Sequence, residues 1–154
     1  MSTVLDVCCG SRSFYFDKDD QRVHFNDIRR EDVQLCDGRT ISINPDTTWD
    51  FTNLPCPDES FSLVVFDPPH LLHAGDTSWL KAKYGVLPPA WESYIKKGFE
   101  ECLRVLKPSG ALVMKWSSVQ ISAQQVLKAI GAKPLLGTKR AKSTYWWIFV
   151  KGGI

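Results

Sequence analysis

The chain has no Gly-x-Gly-x-x-Gly turn, no Gly-Lys-Ser/Thr loop, no Cys-x-x-Cys pair and no long apolar run. Each absence removes a class. A nicotinamide dinucleotide needs the glycine turn so that backbone can approach its pyrophosphate, and Asp6 inside the end of the first apolar run would repel that group. A nucleoside triphosphate needs the second loop to cradle its phosphates. The cysteines, at 8, 9, 36, 56 and 102, are odd in number and two are adjacent. They support neither a disulfide framework nor a zinc site, and buried free thiols are expected. The histidines add no metal pattern, since His70 and His73 lie only three apart in a loop and His24 reads as a strand residue with a satisfied ring. Lys, Asp or Pro interrupts every apolar run before it reaches spanning length, so no membrane partner is expected. The first residues read directly into a strand rather than a leader, and a soluble, cytoplasmic protein is the expectation. A net charge of +2 is too small to establish a nucleic-acid partner by itself.

What is present describes an α/β protein. The 154 residues hold 44% hydrophobic and 23% charged positions, enough for one domain, residues 1–154, around one core. Short apolar runs alternate with helical patterns, the signature of a mostly parallel sheet covered by helices. Strands are expected at 4–9, 22–26, 47–51, 61–66 and 111–116, with 61–66 buried on both faces because its apolar run is nearly continuous. Between the last two, Tyr94, Ile95, Phe99, Cys102, Leu103 and Leu106 recur at helical spacing. Pro88 and Pro89 precede that helix, and Lys107-Pro108-Ser109-Gly110 closes it. A second helix is expected over 122–130, closed by Gly131, then a C-terminal antiparallel hairpin from Leu135-Leu136 and Tyr145 to Val150. Residues 13–20 lack helical periodicity, so the helix expected after the first strand is reduced or absent.

Ligands of open α/β sheets bind at the carboxyl ends of the strands. Four such ends carry an acid here: Asp6, Asp27, Asp50 and Asp67. One acid is an ordinary turn former; four on successive strand ends form a rim suited to a cationic centre, a ribose diol and an amine-bearing base. The run Val4-Leu5-Asp6-Val7-Cys8-Cys9-Gly10-Ser11 resembles the first motif of the class I S-adenosylmethionine-dependent methyltransferases, and Val105 to Val113 resembles their last core helix and strand. The resemblance implies a Rossmann-like methyltransferase fold with S-adenosylmethionine as cofactor. It implies Asp6, Cys8 and Gly10 at the methionine part, Asp27 on the ribose hydroxyls, and Asp50 with Phe51 on the adenine. Gly10 stands alone where the family carries two or three glycines, and the segment from Gly10 to Asp27 is shorter than usual.

Asp67-Pro68-Pro69-His70 resembles the Asp-Pro-Pro-aromatic motif of bacterial and phage amino-methyltransferases, which act on exocyclic amines of adenine or cytosine. Transfer requires the amine lone pair to point in line at the methyl group, and in an aryl amine that pair is delocalised into the ring. Hydrogen bonds from the amine to the Asp67 side chain and the Pro68 carbonyl favour a pyramidal nitrogen, and two prolines fix the turn without competing donors. Histidine replaces the usual aromatic at position 70; it stacks on a flipped base, or accepts a proton. The catalytic set is therefore Asp67, Pro68 and His70.

On the substrate side, Trp79 and Tyr84 interleave with Lys81 and Lys83 in the loop after this turn, and Lys115 points toward the same rim. Lys139, Arg140 and Lys142 form a basic cluster in the terminal hairpin. The length leaves no room for a DNA target-recognition region, which favours structured RNA, single-stranded nucleic acid or a small molecule, or action with a partner protein or as a homodimer. Two other readings stay open: a small-molecule or protein methyltransferase with His70 as base, and a cofactor-binding subunit without catalysis.

Overall fold

The computed structural model describes residues 2–74 and 85–152. Their elements, in chain order, are β1 (Val4–Asp6), β2 (Val23–Phe25), β3 (Glu31–Gln34), β4 (Thr40–Ile43), β5 (Phe61–Phe66), α1 (Trp91–Val105), β6 (Leu106–Ser117), α2 (Ala123–Ile130), β7 (Leu136–Gly137) and β8 (Thr144–Val150). Six strands make one sheet in the order β2-β1-β5-β6-β8-β7. The pairs among β2, β1, β5 and β6 are parallel, while β8 runs antiparallel to β6 and β7 antiparallel to β8. The mostly parallel sheet with its antiparallel C-terminal hairpin is the architecture expected from the sequence.

Residue alternation settles which face is the core. Along β6, Leu112, Met114 and Trp116 are fully buried, and they pair across the sheet with Phe149, Trp147 and Tyr145 of β8. On this face sit both helices. α1 contributes Ile95, Phe99, Cys102 and Val105, and α2 contributes Val126 and Ile130, all in one apolar cluster. Each large side chain buried this way contributes about 1.5–3 kcal/mol. Gly98 has no room for a side chain, since a Cβ there would stand 2.7 Å from the Phe51 ring. Ser122 caps α2 through a capping box with Gln125, and Gly131 closes it in the left-handed conformation at φ 68°. The Lys107 to Gly110 segment does end α1, but it belongs to β6, as a bulge lying opposite Ser62.

Right-handed crossovers place connections that step in opposite directions along a sheet on opposite faces. The β1–β2 connection therefore lies on the face away from the helices. No helix forms in it: residues 7–22 are turns and bends. Side chains hold it instead. Arg12 lies 3.8 Å over the Phe25 ring and donates to the Asn44 carbonyl, the Tyr15 hydroxyl donates to Asp6 Oδ2 at 2.8 Å, and Phe14 meets Trp146 edge-on. The reduced first helix expected from the sequence is an absent one among the described residues.

Two expectations need correction. The strand expected over 47–51 is a single bridge, Asn26 to Thr47. Its main-chain bonds run from the Asp27 amide to the Thr47 carbonyl and from the Thr47 amide to the Phe25 carbonyl, and the buried Asn26 side chain adds four more, donating to the Val7 and Trp49 carbonyls and accepting from the Thr47 hydroxyl and the Trp49 amide. One amide side chain thus holds residues 47–49 where the ladder stops. The second is the hairpin β3–β4, absent from the expected elements; its three-residue loop 36–38 is closed by the Gly38 amide on the Leu35 carbonyl, with Gly38 at φ 89°. Among the described residues no helix is long and apolar enough to cross a membrane.

Candidate active site

The sheet order reverses direction at β1, whose neighbours β2 and β5 are reached by connections running opposite ways. A crevice opens at the carboxyl end of such a strand. A cavity of about 270 Å³ lies there. Its floor is the turn from Val7 to Ser11, one wall is Asp27 to Arg29 after β2, another is Trp49 to Phe51, and the far side is Asp67, Pro69 and Tyr94.

The Gly10 turn is built by charge and geometry together. Gly10 adopts φ 52°, a conformation that favours glycine, and its amide donates to Asp27 Oδ2 at 2.9 Å. The other oxygen, Oδ1, accepts the Arg29 amide at 3.0 Å, with the Arg29 guanidinium Nε at 3.5 Å. Asp27 is 5% exposed and is thus held at the cavity wall in one orientation. Asp50 is exposed, and its Oδ1 accepts from the Thr52 amide and hydroxyl. Phe51 is buried against Phe66 and Tyr94, and burial pushes the Tyr94 hydroxyl up to about 12.

Cys8 and Cys9 line the floor as free thiols. Burial raises both, Cys9 to about 12, with the Asp6 and Asp27 charges adding to it. They are protonated and inert at neutral pH.

Asp6 does not reach the cavity. It is fully buried beneath the turn, accepting from the Cys8 amide at 3.0 Å and from Tyr15. Burial pushes its pKa up to about 7; those two bonds oppose the shift, and the Asp67 and Asp27 charges add to it. Folded and unfolded chains therefore bind different numbers of protons between about pH 4 and 7. The folded chain keeps the proton, so Asp6 lowers stability as pH rises through this window. His70 has the opposite sign. Burial and Lys115 lower its pKa to about 4, so the unfolded chain takes the proton first and stability falls as pH drops from about 6.5 to 4. An Asp6→Asn variant is expected to lose the first slope and keep the second. Relative to wild type its gain in stability should grow from pH 5 to pH 8, to roughly 2 kcal/mol or more. Thermal melts at the two pH values check this; a gain independent of pH contradicts it.

The Asp67 turn follows β5 directly. Asp67 and Pro69 line the cavity, while Pro68 is buried. Lys115 does not line it. Its Nζ stands 3.6 Å from Asp67 Oδ2 and lies over the rings of Phe14 and Trp146 at 5.6 and 5.8 Å. Lys115 therefore orients Asp67 from the helix-free side of the sheet. His70 is 5% exposed and packs edge-on toward Trp116, off the cavity wall. Trp79 and Tyr84 lie outside the described residues.

The structure thus gathers Cys8, Gly10, Asp27, Asp50, Phe51 and Asp67 around one cavity and sets Asp6, Lys115 and His70 behind its walls. Sequence reasoning missed Ile28, Arg29, Trp49 and Tyr94 on the walls, and Asn26 and Tyr15 beneath them. Ile28 had a signal. An apolar residue directly after a strand-end acid is 60% exposed, and it faces this cavity.

No family model matches the chain, and no curated protein matches it. Solved structures do. A protein from Pyrococcus horikoshii OT3 is similar over 96% of this chain and 81% of its own, with 16% identity and a TM-score of 0.62. The N-methyltransferase NodS from Bradyrhizobium japonicum WM9, in complex with S-adenosyl-L-homocysteine, is similar over 98% and 78%, with 13% identity and a TM-score of 0.57. A SAM-dependent methyltransferase from Methanosarcina mazei is similar over 96% and 91%, with 12% identity and a TM-score of 0.51. At these identities the likeness is one of fold: an α/β chain with the Rossmann-like architecture of methyltransferases.

Proposed function

We propose that this chain is an S-adenosylmethionine-dependent methyltransferase acting on an exocyclic amine of a nucleic-acid base. The observation that carries the reading is the placement of Asp67 and Pro69 on the wall of a cavity whose opposite wall holds Asp27 and Asp50. Two structures of this fold support the donor, one of them an N-methyltransferase with the product of that donor bound.

The residues fit such a group. Carboxylates at 27, 50 and 67 make the cavity a home for a cation, and water exclusion by the buried floor strengthens their field. Asp27 takes the ribose hydroxyls, Asp50 the adenine amine, and Ile28 and Phe51 flank the ring plane. Cys8 and Gly10 bring thiol and backbone against the methionine part, where larger side chains would fill the space. Bound there, S-adenosylmethionine would supply an electrophilic methyl group at its sulfonium. Asp67 and the Pro68 carbonyl would accept hydrogen bonds from the amine and turn its lone pair toward the methyl, and the nitrogen would release one proton to solvent once the new N–C bond has formed. Lys115 holds the Asp67 carboxylate in orientation. His70, neutral at pH 7, supports the turn from behind rather than stacking on the acceptor. That placement disfavours a small-molecule or protein methyltransferase in which His70 is the base.

Incubation with S-adenosylmethionine carrying a labelled methyl group, followed by separation of nucleic acid, protein and metabolites, tests the acceptor class. Label in the nucleic-acid fraction, recovered as a methylated base amine, is the expected result. Label confined to protein or metabolites overturns the acceptor, and absence of any transfer by a chain that binds the cofactor overturns the activity.

A further inference from the structure

We infer that the β7–β8 connection, through Lys139, Arg140 and Lys142, is a docking surface for the phosphates of a single-stranded nucleic acid. The commitment to nucleic acid rests on the proposed methyl-transfer reading; the surface itself rests on charge and placement.

Charge is segregated along the chain. Glu101 is its last acid, and residues 102–154 carry nine Lys or Arg and no Asp or Glu. Elsewhere arginines are matched at short range: Arg22 by Asp20, Arg39 by Asp37, Arg104 by Asp58 and Glu101. Lys139, Arg140 and Lys142 are exposed, and among the described residues no carboxylate pairs with them. Three cations within four residues, with no carboxylate paired to them among the described residues, set up a positive field that gathers and steers a phosphate chain.

The fold sets this loop at the catalytic end of the sheet. Ser118, just beyond the end of β6, donates through its amide to the Ser143 carbonyl at 2.8 Å. Two residues on, the Gln120 side chain accepts from the amides of Leu72 and His73 and donates to the His73 carbonyl at 2.8 Å. The same short segment thus ties the basic loop on one side and the continuation of the Asp67–His70 turn on the other. The loop is also anchored at its base, where the Thr138 amide donates to the Trp146 carbonyl and Trp147 Nε1 donates to the Thr138 carbonyl. Its cations are therefore presented from a fixed base. A phosphate chain lying along them runs on the same edge of the sheet as the cavity, and a single strand delivers an unstacked base without the cost of opening a duplex.

The test is fluorescence anisotropy with a labelled single-stranded RNA of about 12 nucleotides, its DNA counterpart and its duplex. Salt is varied between about 50 and 200 mM. The triple variant Lys139→Gln, Arg140→Gln, Lys142→Gln is compared with wild type and with Lys128→Gln, Lys133→Gln at the other end of α2. Removing three single-strand phosphate contacts is expected to lower affinity about 100-fold at 0.1 M salt and to reduce the log–log salt slope by about 2. The control pair should bind as wild type does. Equal loss in the control, unchanged binding in the triple variant, or tighter binding of the duplex each overturns the surface. Whether RNA or DNA binds more tightly identifies the strand it serves. Calorimetry with S-adenosylhomocysteine on the same preparations separates the two readings. A chain that binds this product and no oligonucleotide removes the surface and leaves the methyl-transfer reading. One that binds RNA through the loop, but not the product, keeps the surface and removes the methyl-transfer reading.

Discussion

Asp67→Ala is expected to reduce methyl transfer by at least about 10³-fold while the chain still binds S-adenosylhomocysteine within a few-fold of wild type. The asymmetry follows from where the residue stands. Asp67 follows β5 while Asp27 follows β2, on the other side of β1, so on the proposed reading it would turn the acceptor rather than hold the ribose or adenine. Its side chain is 11% exposed, and its charge is balanced by Lys115 at 3.6 Å. Removing it deletes the acceptor that orients the amine, a contact that matters most as the nitrogen becomes pyramidal. It also leaves Lys115 facing Phe14 and Trp146 without its anion, so the melting temperature must be measured beside the rate. Asp67→Asn keeps the shape and one accepting oxygen; it should retain more activity than alanine if orientation is the main role. Full activity in the alanine variant removes the Asp-Pro-Pro turn from the mechanism.

The second large effect belongs to Asp27. Asp27→Ala is expected to weaken binding of S-adenosylhomocysteine by about 100-fold or more, roughly 2.7 kcal/mol. Two losses combine. The carboxylate that would take the ribose hydroxyls is gone, and each hydrogen bond to a charged group is worth about 1.5–3 kcal/mol. The Gly10 amide, held at 2.9 Å by Asp27 Oδ2, and the Arg29 side chain also lose the group that fixes them at the wall. Titration calorimetry gives the affinity directly. A change smaller than about threefold would show that the cofactor does not use this wall.

Much of this architecture was open to reading in the sequence because the signals are local. The six-residue apolar run of β5, the periodicity of α1, the Ser122 and Gly131 caps of α2 and the long aromatic arm of β8 all depend on neighbours within a few positions. The acids at 27, 50 and 67 were legible for a related reason: strand ends in a parallel sheet collect on one edge, so an acid after each strand implies a rim. The strand expected over 47–51 stops at a single bridge because beyond Thr47 the Asn26 side chain takes over from the main-chain bonds. Nothing near Thr47 reports that Asn26, twenty-one residues earlier, makes those bonds. The β3–β4 hairpin is absent from the expected elements, although Asp37-Gly38 lies in its loop, because its strands are largely exposed and carry little apolar alternation.

What the sequence decided by itself was therefore the class of fold, the order of the parallel strands, the helices and the terminal arm, and the acids that follow β2 and β5, since each is fixed by propensity and short-range periodicity. Which of those residues line the cavity was decided by tertiary structure. Asp6, Lys115 and His70 have the chemistry of site residues, yet burial turns them into supports: one shares a proton-binding pocket with Tyr15, one steadies Asp67, and one is kept neutral behind the turn. Burial and partner charge come from residues distant in the chain, through desolvation and Coulomb terms that no local pattern carries. The Asp67 turn was visible in four letters; its lysine, and the cavity it faces, required the fold.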